Sequence, residues 1–212
     1  MSRLYENPRY YSDLLEVGRK NLKSQAAYRK SRNAVDSLLG VSGSSRSEIN
    51  VAAKYLLSRC EDITPLSLQK ALYYSQGFFY AFYGRFLFKE DCEAWVHGPV
   101  YQEVYHRYAD YRFDPIGKVA SFDASILTAS EQAVFDAVID SFCCYSGKVL
   151  ERFTHSEMPW IESRGDLPSS SPSENIIPRE SIGSYFAKVK AKYGMVKPGD
   201  IQSYAEDMFK NL

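Results

Sequence analysis

The sequence predicts a mainly α-helical fold: a compact multi-helix domain with a minor strand element, preceded by a helical N-terminal arm. Apolar side chains recur three and four residues apart through most of the chain, which is the spacing of one helix face. Capping residues precede several of these runs, and residues 86–97 have the short mixed pattern of a strand. The chain is 45% hydrophobic and holds 17 Tyr and 12 Phe, so we expect a core dominated by aromatic packing.

The first 46 of the 212 residues differ in charge from the rest. They hold nine Lys or Arg and four Asp or Glu, a net 9 − 4 = +5, and the remainder carries −5 because the whole chain is neutral. Residues 40–45 have the composition of a Gly/Ser linker. We therefore predict a basic arm with its linker at 1–46 and a helical domain at 47–212. The basic residues suit a solvated helix face, a nucleic acid or an acidic partner, and the sequence leaves these open.

One helix has especially clear boundary signals. Thr64 is a cap, and Pro65 falls at the first helical position, where its missing N–H is not needed. Gly84 is placed to end the helix. The segment between them is apolar nearly all round, which predicts a buried central helix. Its predicted core positions are Leu68, Leu72 and Phe79.

Other segments carry similar signals. Gly98-Pro99 is predicted to turn the chain, with Pro99 beginning a helix that runs to about Tyr108. Thr128 and Glu131 form a capping box ahead of a helix of about four turns. Further helices are predicted from Ser47, from Ser146 through Phe153, from Pro178 to Gly194 and from about Asp200 to Lys210, with an exposed loop at 166–175.

Four motifs in a fixed order resemble a known family. They are residues 63–77 (ITPLSLQKALYYSQG), residues 93–100 (EAWVHGPV), residues 154–160 (THSEMPW), and Ile177-Pro178 followed by Tyr185-Phe186. In order and spacing they resemble the Panacea-domain family of SocA-like antitoxins, also known as phage-associated GepA-like proteins. The resemblance covers residues about 47–190, so the arm lies outside it.

The resemblance implies a cytoplasmic antitoxin that neutralises a protein toxin encoded beside it. In SocA-like members it implies instead an adaptor that delivers the toxin to a ClpXP-type protease. Both are binding functions without catalysis or a cofactor; nucleic-acid binding and oligomeric state stay open. The residues that we assign from the motifs, as partner-binding or as family-motif positions, are Gln76, Trp95, His97, Gly98, Pro99, His155, Pro159 and Trp160.

Trp95 has two interpretations. Its position beside Gly98-Pro99 is typical of a packed corner, in which the indole ring and the proline fix the path of the chain. Trp is also enriched in interface hot spots, which favours an edge that contacts a partner. The packed corner is the more ordinary outcome, and the sequence leaves both open.

The remaining reactive side chains give little support to catalysis or metal binding. His97, His106 and His155 lack the spacing of a metal site, and we expect His155 to end a helix where an imidazolium meets the helix dipole. A Cys92–His97 nucleophile pair is the alternative from the enzyme class, and no protease-like signature surrounds it. The cysteines, expected to be free thiols in a reducing cytosol, are Cys60, Cys92, Cys143 and Cys144. No window is long and apolar enough to span a bilayer.

Overall fold

The computed structural model describes residues 48–119 and 121–212, and this part of the chain forms eight α-helices and one small sheet. The predicted mainly α-helical class is therefore confirmed. The helices are α1 (Glu48–Arg59), α2 (Pro65–Tyr83), α3 (Gln102–Tyr108), α4 (Ala129–Phe142), α5 (Gly147–His155), α6 (Met158–Arg164), α7 (Arg179–Lys192) and α8 (Ile201–Lys210). The strands are β1 (Cys92–Trp95), β2 (Gly98–Val100) and β3 (Ile176–Ile177). The predicted arm and linker at 1–46 lie outside the described residues, so the boundary at 46/47 stays a prediction.

Helix α2 is the centre of the fold, as its sequence predicts. The Thr64 hydroxyl accepts a hydrogen bond from the Ser67 backbone N–H at 3.3 Å, and Gly84 caps the other end through a bond from its N–H to the Tyr80 carbonyl. The helix packs against α1, α4, α5 and α7. The three predicted core residues, Leu68, Leu72 and Phe79, have no exposed surface.

Aromatic rings fill the space between α2 and its neighbours. Tyr74 stacks on Phe142 of α4 with ring centroids 3.9 Å apart, and Phe78 contacts Phe186 of α7 at 4.6 Å. Gly77 lets α7 approach closely, because a Cβ at this position would lie 2.0 Å from the Phe186 ring. The core therefore depends on aromatic rings, and the Phe186 ring fills the space that a side chain at Gly77 would need.

The sheet corrects one prediction and adds a strand that the sequence did not indicate. Strand β1 is central and antiparallel to both neighbours, with Ala94 opposite Pro99 and Cys92 opposite Ile177. The prediction that Pro99 begins a helix is wrong: it lies within β2, and α3 begins at Gln102. An edge strand such as β2 tolerates the missing N–H of proline on its unpaired side. Strand β3 has two residues, too few for a periodic signal.

The later helices agree with the sequence signals at most boundaries. The capping box is present, because Thr128 and Glu131 exchange side-chain-to-backbone hydrogen bonds at 2.8 and 3.3 Å. Ser146 caps α5 through the Val149 N–H. Residues 166–175 form the predicted loop. Helix α6, which follows α5 almost directly, was not predicted as a separate helix. None of the described helices is long and apolar enough to cross a bilayer.

Candidate functional site

The β1–β2 hairpin places the second motif at one end of the central helix. Gly98 has φ +96°, a conformation that side chains rarely adopt. A Cβ on Gly98 would also lie 2.6 Å from the Thr154 hydroxyl and 2.7 Å from the Lys70 ammonium nitrogen. The Lys70 Nζ donates a hydrogen bond to the Pro99 carbonyl at 3.1 Å. Glycine is therefore required at position 98 by both backbone conformation and close contact.

Two glutamines of α2 hold the chain on either side of the hairpin. Gln69 accepts a hydrogen bond from the Tyr101 N–H at 2.8 Å and donates to the Tyr101 carbonyl at 3.3 Å. Gln76 does the same for the segment before β1: it accepts from Leu87 N–H at 2.8 Å and donates to the Phe88 carbonyl at 2.7 Å. Gln76, assigned to partner binding from the sequence, is buried with its amide engaged in this way.

The third motif packs on the back of the hairpin. The Trp160 indole N–H donates to the Trp95 carbonyl at 2.9 Å, and the His155 ring stacks on Trp160 with centroids 4.0 Å apart. The Arg164 guanidinium also lies over the Trp160 ring, 5.0 Å from its centroid, and it donates a hydrogen bond to the Ala94 carbonyl at 3.0 Å. These contacts fix the end of α5 and the whole of α6 against β1.

The environment of His155 corrects the prediction of a charged ring at the helix end. Helix α5 does end at His155, as expected. Burial lowers the pKa of the imidazole, and although the nearby Glu151 carboxylate acts in the opposite direction, the net shift is downward. The neutral ring is therefore favoured, which suits a flat stack on Trp160.

His97 occupies the hairpin turn and is mostly exposed. Its Nδ1 lies 3.2 Å from the Glu151 carboxylate, which also receives the Lys148 ammonium at 2.9 Å. Partial burial raises the pKa of Glu151, but hydrogen bonds from Lys148 and His97 outweigh that effect and hold it below its usual range. Glu151 is thus a stable carboxylate that holds the turn to α5.

Trp95 is half-buried, and its ring contacts the ring of Tyr105 of α3 edge to face, with centroids 4.8 Å apart. The Trp95 indole N–H donates to Glu93 at 2.8 Å, and Gln102 donates to the same carboxylate oxygen at 2.9 Å. We use the name hairpin surface for the set formed by the exposed His97 and Lys148, the partly exposed rings of Trp95 and Tyr105, and the mostly buried Glu151 carboxylate. It combines two aromatic rings with both signs of charge.

Of the eight residues assigned from the motifs, seven meet around the hairpin. Gly98 and Pro99 lie in β2, Trp95 ends β1, His97 lies in the turn, and His155 and Trp160 pack behind it; Pro159 precedes Trp160 in α6. Gln76 contacts a different segment. The sequence analysis did not single out Tyr105, Glu151 or Arg164, because their roles depend on contacts distant in sequence. Lys70 carried a signal, since it is a lone charge in a helix that is otherwise apolar.

Beneath the hairpin lie two fully buried ionisable groups. Burial lowers the pKa of Lys70 to about 7, although attraction to Cys92, Glu151 and Glu157 opposes the effect. Burial raises the pKa of Glu157 to about 7, against hydrogen bonds from tyrosine hydroxyls. Tyr204 of α8 donates to Glu157 at 2.7 Å and Tyr74 of α2 donates at 3.1 Å. These groups join α2, the hairpin and α8 through the interior.

The suggested nucleophile pair has no geometric support. Cys92 is buried in β1, and burial raises the pKa of its thiol to about 12. His97 is exposed and engaged with Glu151. Within residues 48–119 and 121–212, no three His, Cys, Asp or Glu side chains are arranged to hold a metal ion.

Comparison with known proteins agrees with the resemblance seen in the motifs. No curated protein and no solved structure matches the chain significantly. The model of one family, described as Antitoxin SocA-like, Panacea domain, matches residues 68–161. The match contains the second and third motifs and most of the first, while Ile177-Pro178 and Tyr185-Phe186 lie beyond it. Over the segment that builds α2, the hairpin and α5–α6, the chain is therefore similar to the SocA-like antitoxins of the Panacea domain family.

Proposed function

We propose that the protein is an antitoxin that neutralises a cognate protein toxin by direct binding, and that the hairpin surface contacts the toxin. The observation that carries the proposal is that the segment matched by the antitoxin family model contains the hairpin and the motif residues that pack around it. The segment similar to the antitoxin family ends at residue 161, and within it the motif residues converge on one exposed turn. Three of the four motifs lie wholly or mostly within this matched segment, which favours a function located at the hairpin.

The chemistry of the hairpin surface suits protein recognition. Trp95 and Tyr105 offer large, rigid rings that lose little conformational entropy on binding. His97, Lys148 and Glu151, which interact with one another at the turn of the same hairpin, add groups that form hydrogen bonds and ion pairs, as a polar rim does. Behind them, the Trp160–His155 stack and the Lys70 contact hold the turn in place, so a partner meets a preformed surface.

The proposal extends to the mechanism, which is sequestration: the antitoxin covers the toxin and needs no further factor. The alternative is delivery of the toxin to a ClpXP-type protease. The two differ in the fate of the toxin, because a sequestered toxin persists in a complex while a delivered toxin disappears only when the protease is present. Both place the protein in the cytoplasm with its partner.

A growth-rescue experiment with the product of the neighbouring gene tests the proposal. Tyr105→Ala and His97→Ala should abolish rescue and weaken co-purification, because they remove a partly exposed and an exposed group of the hairpin surface. Tyr83→Ala is the matched control: Tyr83 is also a partly exposed tyrosine, but it lies at the far end of α2, about 20 Å along the helix from Lys70. Its rescue should be unchanged.

Three results separate the outcomes. Loss of toxin from cells only when the protease is intact would replace sequestration by delivery. Full rescue by a folded Tyr105→Ala/His97→Ala double variant would show that the hairpin surface is not the binding site. Retained rescue by Cys92→Ala would agree with binding alone, whereas its loss with normal folding and normal toxin binding would favour catalysis.

A further inference from the structure

Two of the four cysteines meet where two helices end. Cys60 directly follows α1 and its N–H bonds to the Leu56 carbonyl at 2.9 Å. Cys143 directly follows α4 and its N–H bonds to the Ile139 carbonyl at 3.0 Å. The two thiols are close enough to perturb each other's pKa, although 82 residues separate them in the chain. Both line one open cleft of about 520 Å³.

We propose that Cys60 and Cys143 form a reversible disulfide, with Cys60 as the thiol that reacts first with a hydroperoxide. Redox-sensing cysteines are solvent-accessible, have thiolate character and lie beside a resolving thiol. Cys60 and Cys143 are both half-buried beside the cleft, so a small oxidant reaches them. The proposal is independent of the function assigned to the hairpin surface.

The surroundings distinguish the two sulfurs. The hydrogen bond from Cys143 lowers the pKa of Cys60, burial opposes it, and the positive charges of Arg59 and Lys118 add to the lowering against Asp140. The same contact, together with burial and the Cys60, Cys144 and Asp140 charges, raises the pKa of Cys143. Cys60 is therefore the better thiolate, and Cys143 keeps its proton until the second step.

The reaction balances with one hydroperoxide. The Cys60 thiolate attacks one oxygen of hydrogen peroxide; an S–O bond forms, the O–O bond breaks, and the departing hydroxide takes the proton that Cys60 released, giving water and a sulfenic acid. The Cys143 sulfur then attacks the Cys60 sulfur. An S–S bond forms, the S–O bond breaks, and the hydroxide leaves with the Cys143 proton as a second water. Two thiols are oxidised and one peroxide is reduced.

The other cysteines are placed differently. Cys92 is buried in β1, and Cys144, although exposed, directs its thiol to the Ser141 carbonyl at 3.8 Å. A bridge between the adjacent Cys143 and Cys144 would be strained. The Cys60–Cys143 link would instead join the ends of α1 and α4 and close a long loop, which stabilises the folded chain.

Peptide mapping of the full chain after treatment with hydrogen peroxide tests the proposal. We expect a Cys60–Cys143 cross-linked peptide, the loss of two hydrogen atoms from the intact mass, a higher melting temperature, and recovery of four free thiols with dithiothreitol. Cys144→Ser, the matched control, should behave as the unchanged protein. Cys60→Ser and Cys143→Ser should give no cross-link, and Cys143→Ser should accumulate the Cys60 sulfenic acid.

Three results would overturn the proposal. One is a cross-link through Cys144 or Cys92 in the unchanged chain. Another is accumulation of sulfinic acid at Cys60 without any cross-link. The third is a cross-link that forms only between chains. The unchanged protein and Cys144→Ser suffice for this decision even where Cys60→Ser or Cys143→Ser fails to fold.

Discussion

Replacing Lys70 by Met is expected to stabilise the protein at neutral pH. The side chain is fully buried, and the one hydrogen bond that we identify at its Nζ is to the Pro99 carbonyl, 3.1 Å away. Burial lowers its pKa from 10.5 to about 7. Met has nearly the same length and volume and carries no charge to desolvate, so Lys70→Met removes the desolvation penalty while keeping the packing.

The size of the gain follows from the pKa. The fall in the Lys70 pKa from 10.5 to about 7 means that burial disfavours the charged form by about 5 kcal/mol relative to the neutral form. At pH 7 the folded protein avoids part of this cost by releasing the proton, so the loss of folding stability is about 4 kcal/mol. Losing the bond to the Pro99 carbonyl costs about 1–3 kcal/mol. Lys70→Met should therefore raise the free energy of unfolding by about 1–3 kcal/mol at pH 7.

The pH dependence gives the sharper signature. The unfolded chain binds the Lys70 proton below pH 10.5, but the folded chain binds it only below about pH 7. As pH falls from 10.5 to 7, the native protein therefore loses stability, and below pH 7 the loss stays constant. Met does not titrate. Above pH 10.5 only the lost bond to Pro99 remains, so Lys70→Met should be less stable there by about 1–3 kcal/mol. The difference should shift in favour of Met as pH falls and level off below about pH 7.

Urea denaturation at several pH values between about 6 and 10.5 measures this difference directly. Cys92 and Glu157 also titrate with shifted pKa values, and Lys70 lowers the pKa of each, so the comparison is cleanest above about pH 8, away from the titration of Glu157. Lys188→Met on the exposed face of α7 is the control and should show no such trend. A stability difference that is independent of pH would refute the assignment of a desolvated Lys70.

Three further predictions concern the fold. Gly77→Ala should lower the free energy of unfolding by about 1–3 kcal/mol because its Cβ would meet Phe186, whereas Gly117→Ala, with open space around it, should change little in the same denaturation assay. Leu72→Ala should cost about 2–5 kcal/mol by loss of buried surface and creation of a cavity, and a melting temperature equal to that of the native protein would contradict the burial of this face. Residues 47–212 should fold alone, as judged by circular dichroism. If the basic arm contributes to binding, deleting it should weaken partner affinity more at low than at high salt; equal affinity of the full and shortened chains at a low and a high salt concentration would exclude that role.

Helix boundaries were predictable because their signals are local. Thr64 and Gly84 act on backbone groups three or four residues away, so the residues that decide the boundary lie together in the sequence. For Pro99 the local signal is ambiguous, because proline is tolerated both at the first position of a helix and in an edge strand. What decides between them is pairing with β1 and the bond from Lys70, which lies 29 residues earlier.

The candidate site could be predicted in part for the same reason. The motifs located Trp95, His97 and Trp160, but the contacts that join them depend on the packing of α5 and α6 against β1. Glu151 and Tyr105 have no distinctive local pattern, and only the fold places them beside the hairpin. Lys70 was not singled out from the sequence, although a lone lysine in an apolar helix is a visible signal, and nothing in the sequence identifies its acceptor.

The carboxylate of Glu157 has an evolutionary consequence. It is fully buried and receives hydroxyl groups from Tyr74 and Tyr204, which belong to helices at distant points of the chain. A change of either tyrosine to phenylalanine, otherwise a mild substitution, would leave a buried acceptor short of a donor. Homologous chains should therefore change these three positions together, keeping the acid with both phenols or losing the acid along with them.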